Sequence, residues 1–297
     1  MKKLIIVLAA LSLASVGCSD SSGDGGTGGG GSGGDGGTGS AGAQDVAVSF
    51  AAVVGESDFV CGEEYENLGS DDTTLSLVDF RFYVQDVELK NAEGEWVPVA
   101  LEDNQFQIEN IALLDFEDGC GEVGNADTND EIAGTVPEGE YDGLRFTMGL
   151  PAELNHEDAS TAPGPLGITA MFWNWRGGYK FLRIDSGNIM DNPTVWRMHL
   201  GSTGCGEPED PTSPPEEPCT NPNRVEVELD TFDVDTNIVI ADFAALVADV
   251  PLSTNQEGTP AGCMSPPTDG DCAPLFENLG LPFGEQPGGT QTFFSAE

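Results

Sequence analysis

Positive charge is scarce in this sequence: ten Lys and Arg stand against 52 Asp and Glu, for a formal charge of −42. Nucleic acid and bare anionic membrane are excluded as partners, because both need a cationic surface. A cation or a basic protein is electrostatically welcome, although most of the charge reads as solubility. Histidine is rarer still, with only His156 and His199. Outside the glycine-rich run, where Gly30-Gly31-Ser32-Gly33-Gly34 matches by composition alone, no Gly-x-Ser-x-Gly occurs, nor any His-Glu-x-x-His or Ser-x-x-Lys, so nothing supports a hydrolase and the chain is not expected to be an enzyme. No Cys-x-x-Cys spacing is present, which disfavours a thiolate zinc site. Beyond Leu4–Leu13 no segment is apolar enough to span a membrane, and that first run is itself too short.

What is present begins with compartment. Lys2 and Lys3 precede the apolar run, and Ser15-Val16-Gly17-Cys18 resembles the lipobox of bacterial lipoproteins, with Ser15 where leucine is more usual. The resemblance implies a signal peptide over residues 1–17, cleavage before Cys18 and lipid on that cysteine; several acyl chains anchor far more firmly than one. Ser19 in place of aspartate resembles the outer-membrane sorting pattern, which implies an outer-membrane lipoprotein facing periplasm or cell surface. Residues 18–44 are then a Gly-, Ser- and Asp-rich tether, with a root-mean-square reach of ~25–30 Å. It is no phosphate loop: no strand precedes it, and no Gly-Lys-Ser/Thr closes it. Residues 45–297 form a single domain.

Six cysteines remain after Cys18, an even number that reads as three disulfides in an exported chain. Local spacing favours Cys205–Cys219 and Cys263–Cys272, which leaves Cys61–Cys120. Closing a loop of about 15 residues constrains the unfolded chain by ~3 kcal/mol.

The domain alternates with the period of strands. Phe80, Phe82 and Val84 interleave with Arg81, Tyr83 and Gln85, and the apolar phase then shifts to Val87 and Leu89 as a bulge would cause. Leu144, Phe146, Met148 and Leu150 alternate up to Pro151, and Val225, Val227 and Leu229 alternate with acids. Val46–Val53, Trp96–Val99 and Ile238–Ile240 are weaker strands. Turns fall at Glu93-Gly94, Pro137-Glu138-Gly139 and Gly177-Gly178; helix is confined to Asp242–Ala248 and a turn near Phe276–Leu279. The expectation is an all-β antiparallel sandwich with little helix and long disulfide-pinned loops over Gly206–Asn223 and Pro251–Pro274.

Chemistry has few carriers. Imidazole is the commonest protein ligand for transition metals, yet two scattered histidines are equally at home as hydrogen-bonded residues. Met171 to Phe181 holds Trp173, Trp175 and Tyr179. On a strand, Met171, Trp173 and Trp175 would share one face, and by residue chemistry alone this is a core strand with methionines as soft donors. An indole N–H donates a hydrogen bond and has no lone pair in the ring plane, so intact tryptophan is no ordinary ligand.

Five segments in order change that reading: Asp79-Phe80-Arg81-Phe82-Tyr83-Val84, Leu113-Leu114-Asp115-Phe116-Glu117-Asp118-Gly119, Leu154-Asn155-His156, Met171 to Asp185, and His199-Leu200-Gly201-Ser202-Thr203-Gly204-Cys205, followed by Gly262-Cys263-Met264-Ser265 and Cys272. Over residues 45–283 the chain resembles the MbnP-like copper-binding proteins, the metallo-mystery pair four-Cys motif family. The resemblance implies that Cys205, Cys219, Cys263 and Cys272 are the four cysteines of that name. It also implies that Trp173, first of Trp173-Asn174-Trp175, is oxidised to kynurenine by a partner dihaem protein of the cytochrome c peroxidase/MauG type. Ring opening frees an aryl amine lone pair, and with His156 and His199 it would hold one Cu(I), a d¹⁰ ion content with few neutral donors. Met171 and Met198 are alternative soft ligands, and Trp175 and Tyr179 would line the site or relay electrons. Copper acquisition, storage or homeostasis is the role so implied.

The rival reading is a calcium-binding surface or adhesion module, on Asn125, Asp127, Asn129 and Asp130 in one loop and Asp269 and Asp271 in another. Calcium wants six to eight oxygens, and the full EF-hand pattern is absent.

Overall fold

The computed structural model describes residues 42–120, 124–187, 195–206 and 213–297. The expected signal peptide, Cys18 and nearly all of the tether lie outside the described residues. The first strand, Ala43–Val54, begins two residues ahead of the expected domain start. Among the described residues, no helix is long and apolar enough to cross a membrane.

Two sheets face each other. One runs in the order Phe294–Ala296, Val239–Asp242, Ala43–Val54, Glu131–Pro137, Ala100–Leu101, with Ser57–Asp58 paired to the first strand. The other has the 19-residue strand Thr73–Asn91 as its spine. Tyr141–Met148 and Leu182–Ser186 pair with that spine, Val225–Leu229 flanks the former, and Arg197–Leu200 then Gly262–Cys263 flank the latter. Shorter strands, including Ile111–Asp115, also join the spine. Alternation places Val48, Phe50, Phe80, Phe82, Phe146, Val225 and Val227 in one continuous core between the sheets. Phe50 meets Phe82 and Phe146 edge-on at 6.1 and 5.7 Å. The expected phase shift is there: where the spine pairs with Tyr141–Met148, the register slips between Gln85 and Glu88, and Asp86 takes a φ of 53°.

All three expected disulfides are formed. The helix signals resolve into Phe243–Leu246, capped by Asp242 accepting from the Ala244 N–H, and Ala273–Asn278. Pairing is not wholly antiparallel, however. Ala43–Val54 runs parallel to Val239–Asp242, and Arg197–Leu200 runs parallel to Gly262–Cys263. These partners are far apart in sequence, so no hairpin dictates their relative direction.

A further difference matters more for function. Between Leu150 and Phe181 the chain leaves the sandwich and folds back over the outer face of the larger sheet. There Leu150, Ala159, Leu166, Met171, Tyr179 and Phe181 bury themselves against Tyr83, Ile111 and Leu113, as a second apolar cluster separate from the inter-sheet core. The segment covers the outer face of the spine at Tyr83, while Gly62, Cys61 and Gly187 lie against Ser76 and Val78, and the spine is buried on both faces from Leu75 to Gln85. It also breaks the expected shared face. Met171 closes a 3-10 turn, Trp173 sits in the short strand Phe172–Asn174, and Trp175 lies in the turn that leads to Gly178–Tyr179. Gly178 supplies the φ of 69° that this hairpin needs.

Candidate metal centre

His199 is aimed by strand alternation. On Arg197–Leu200, Met198 and Leu200 enter the inter-sheet core, so His199 must project from the outer face. There its Nε2 lies 2.6 Å from Asp185 Oδ1. An ionised carboxylate only accepts, so Nε2 carries the proton and Nδ1 keeps its lone pair. Burial pulls the imidazole below its ordinary pKa, against the opposing pull of Asp185, so the ring is neutral near pH 7. Burial alone would raise Asp185, but the hydrogen bond from His199 and the charge and hydrogen bonds of Arg183 hold it well below the usual carboxylate range.

Asp185 is itself held by a chain of buried charge. Arg183 donates to Asp185 Oδ2 through Nε and Nη2 at 2.9 and 2.6 Å, and its Nε is 3.1 Å from Asp79 Oδ2. Asp79 is clasped in turn by Arg81, whose Nη1 is 3.9 Å from Asp115. Sheet register lines these up: Asp115, Arg81, Arg183 and His199 are successive cross-strand neighbours. Burying so many charges is tolerable only because each meets an opposite one. Burial raises Asp115 to about 7 despite Arg81 beside it.

The same cations seat the tryptophan hairpin. Lys180 Nζ and Arg183 Nη1 both donate to the Ala170 carbonyl, at 2.7 and 2.9 Å. Three residues on, the half-buried Trp173 ring packs beside His199, centroid to centroid 6.3 Å. Two glycines make room for it. A Cβ at Gly201 would lie 2.5 Å from Trp173 Cζ3, and one at Gly177 would lie 3.3 Å from Trp173 Cβ. The indole lines a cavity of about 330 Å³ with Arg176, Ser202, Cys205 and Met264.

His156 is placed differently. Its Nδ1 is 3.0 Å from the Trp175 carbonyl, which can only accept, so Nδ1 is protonated and Nε2 bears the lone pair. Nε2 faces the Asn155 amide at 3.1 Å and Cys219 Sγ at 3.5 Å. Burial lowers this imidazole too. His156 lines an adjoining cavity of about 370 Å³ with Cys219, and Ser202 is common to both. Of the three nitrogen donors named from sequence, the fold thus brings Trp173 and His199 into ring contact. It sets His156 against the backbone of the same hairpin and against a disulfide.

The secondary candidates separate. Met198 belongs to the inter-sheet core, on the opposite face of its strand from His199, and Met171 is fully buried in the outer cluster. Tyr179 is buried with its hydroxyl donating to the Leu166 carbonyl, and burial raises it well above the ordinary phenol range. Trp175 is half-buried and edge-on to Phe172. Sequence reasoning missed Asp185, Arg183 and Met264. Asp185 and Arg183 lie in the quoted Met171–Asp185 segment, where charged residues on a buried strand were the available signal.

The donors present fit a soft ion. Two neutral imidazoles each offer a lone pair whose opposite nitrogen is pinned by an acceptor, and Asp185, the carboxylate beside His199, is occupied by His199 and Arg183. In the acidic loops, three side-chain oxygens accept from backbone N–H groups. Asn125 Oδ1 accepts from Asp127 N–H, Asp269 Oδ1 from Asp271 N–H, and Asp271 Oδ2 from Gln256 N–H. Asp269 Oδ2 is buried without a hydrogen-bond partner, one oxygen of the six to eight that calcium takes.

Comparison with known proteins agrees with this architecture. No curated protein sequence matches the chain. The solved structure of MbnP from Methylosinus trichosporium superimposes with a TM-score of 0.76 at 33% identity, covering 86% of this chain and 98% of that one. The MbnP family model matches residues 43–265. The chain belongs to the MbnP family.

Proposed function

We propose that this protein is an exported lipoprotein that binds one Cu(I) on the outer face of its larger sheet and takes part in copper acquisition, storage or homeostasis rather than catalysis. The observation that carries the reading is the packing of Trp173 on His199, with Asp185 holding the far nitrogen of that imidazole. His199 offers Nδ1 and His156 offers Nε2, each with its tautomer set by an acceptor behind it. Intact Trp173 offers no lone pair, so the third donor requires its conversion to kynurenine. A partner dihaem protein of the MauG type is the proposed oxidant. The indole five-membered ring opens with uptake of two oxygen atoms, and hydrolysis releases one carbon as formate, leaving an aryl amine. When bound, copper supplies a soft, redox-active cation that passes to a transporter or enzyme. Half-burial and solvent-facing Asn174 leave the hairpin open to a docking oxidant. Lipid on Cys18 would tether the domain to the outer membrane.

The deciding experiment is peptide mass spectrometry with copper analysis on protein from its native host. Trp173 should carry the net gain of one oxygen and loss of one carbon, with one copper per chain. His199→Ala should lose the copper while keeping the modification. Tight copper binding with Trp173 unmodified would overturn the ligand assignment.

A further inference from the structure

The Cys205–Cys219 disulfide has no part in the site just described, yet it lies against the same His156 nitrogen. His156 Nε2 and the two sulfurs all lie within 4.8 Å of one another. The imidazole is held by the Trp175 carbonyl with its lone pair turned toward Cys219. While the disulfide stands, the sulfurs are neutral and are poor ligands. Cleaved, they become two thiolates facing one imidazole, a donor set that suits a three-coordinate soft ion.

Two features make cleavage productive. The disulfide is reachable: Cys219 is half-buried and lines the cavity of about 370 Å³, and Cys205 lines the neighbouring one. Backbone pairing also holds the two cysteines together independently of the S–S bond. Thr203 and Asn221 exchange both their N–H···O bonds at 2.9 and 3.0 Å, and Thr220 N–H donates to Gly204. The other disulfides lack this combination. Cys263 and Cys272 are sealed in the core, and Cys61–Cys120 has Asp118 rather than an imidazole beside it.

We propose that Cys205, Cys219 and His156 form an alternative soft-metal site, closed by the disulfide and opened by reduction, which competes with the first site for the His156 nitrogen. A dithiol reductant gives two electrons and two protons to the Cys205–Cys219 bond. Its own sulfurs become a disulfide, and the two cysteines become thiols, whose protons leave as Cu(I) binds. Ligation requires the Asn155 amide to give up its hydrogen bond to Nε2. Neither His199 nor oxidation of Trp173 is required. A cell that shifts its thiol balance would thereby change how much copper the protein holds.

The test uses the full chain carrying Trp173→Phe, which removes the kynurenine site and so separates this proposal from the previous one. The chain is treated anaerobically with graded reductant, its free cysteines are mapped by alkylation and peptide mass spectrometry, and Cu(I) is titrated against a chromogenic chelator. We expect Cys205–Cys219 to open before Cys263–Cys272, and one additional Cu(I) to bind per chain. Cys205→Ser with Cys219→Ser should abolish that equivalent. His156→Ala should weaken it by more than the roughly 10–100-fold typical of losing an outer hydrogen-bond partner. Copper uptake unchanged in the serine variant would assign it to Cys61 and Cys120 and overturn the proposal. So would loss of the far-ultraviolet strand signal on reduction, or failure of the reduced chain to bind copper.

Discussion

The two faces of the Thr73–Asn91 strand make opposite use of the same backbone. Its inward residues, Phe80, Phe82 and Val84, join an apolar core between two sheets. Its outward residues, Asp79, Arg81 and Tyr83, are just as buried, yet two of the three carry charge. The inner face gains from every methylene removed from water, about 0.8 kcal/mol each. The outer face carries an ion lattice whose desolvation consumes most of what its attractions return. A lattice of this kind is a weak source of stability, but it orients donors. Asp115, Arg81, Asp79, Arg183 and Asp185 end on His199, the residue against which Trp173 packs. One face makes the fold and the other aims the site.

The comparison can be broken most severely by one truncation on each side of the strand. Phe82→Ala and Arg81→Met should each cost about 3–5 kcal/mol in chemical denaturation, the first by leaving a cavity and the second by stranding Asp115 and leaving Asp79 with Arg183 alone. They should differ in copper: the folded fraction of Phe82→Ala binds normally, whereas Arg81→Met binds weakly. Equal copper loss in both would mean that the faces are not separable.

Acid titration should show the lattice next. Asp115 is raised to about 7 in the folded chain, so the fold holds a proton that the unfolded chain releases near pH 4. Stability from this group is therefore full below pH 4 and declines as pH rises to about 7, by roughly 4 kcal/mol at most. Asp115→Asn should flatten that slope, measured as the denaturation midpoint from pH 4 to 8. An unchanged slope would place the proton elsewhere.

Gly201→Ala should act on the site and the fold together. Its Cβ would press on the Trp173 ring and on the Tyr179 carbonyl, 2.8 Å away. Overpacking of this kind costs about 1–3 kcal/mol, and the displaced ring should show as altered tryptophan fluorescence and weaker copper binding. Asp185→Asn should sharpen the contrast further. Copper affinity should fall roughly 10–100-fold as His199 loses its fixed tautomer, with the Phe80 and Phe82 core unaltered by hydrogen exchange. Lys90→Ala should do least, because the Lys90–Asp230 pair is solvent-exposed and worth less than about 1 kcal/mol.

The inner face was legible because burial on one side writes a period-two pattern. Phe80, Phe82, Phe146, Val225 and Val227 could be assigned by counting, and the slip beyond Val84 announced its bulge. The outer layer was not legible in the same way. Met171, Trp173 and Trp175 look like one strand face, but a 3-10 turn before Phe172 and a hairpin turn after Asn174 send them in different directions. Met198 looked as available as His199 until alternation set it in the core. Asp185 carries no mark in sequence that distinguishes it from the chain's other acids, since only the pairing of Leu182–Ser186 with Arg197–Leu200 brings it to the imidazole.

By itself, then, the sequence determined the all-β class, the three disulfides, the scarcity of donors and the family resemblance. Each of those is written in local spacing or in residue type, and needs no knowledge of what lies across a sheet. Tertiary structure alone decided that the Leu150–Phe181 segment covers the outer face, that Trp173 meets His199 while His156 meets Cys219, and that a buried row of charge stands behind the site. Those outcomes depend on strand register and on which loop packs over which face, contacts between residues tens of positions apart whose spacing along the chain carries no trace of their meeting.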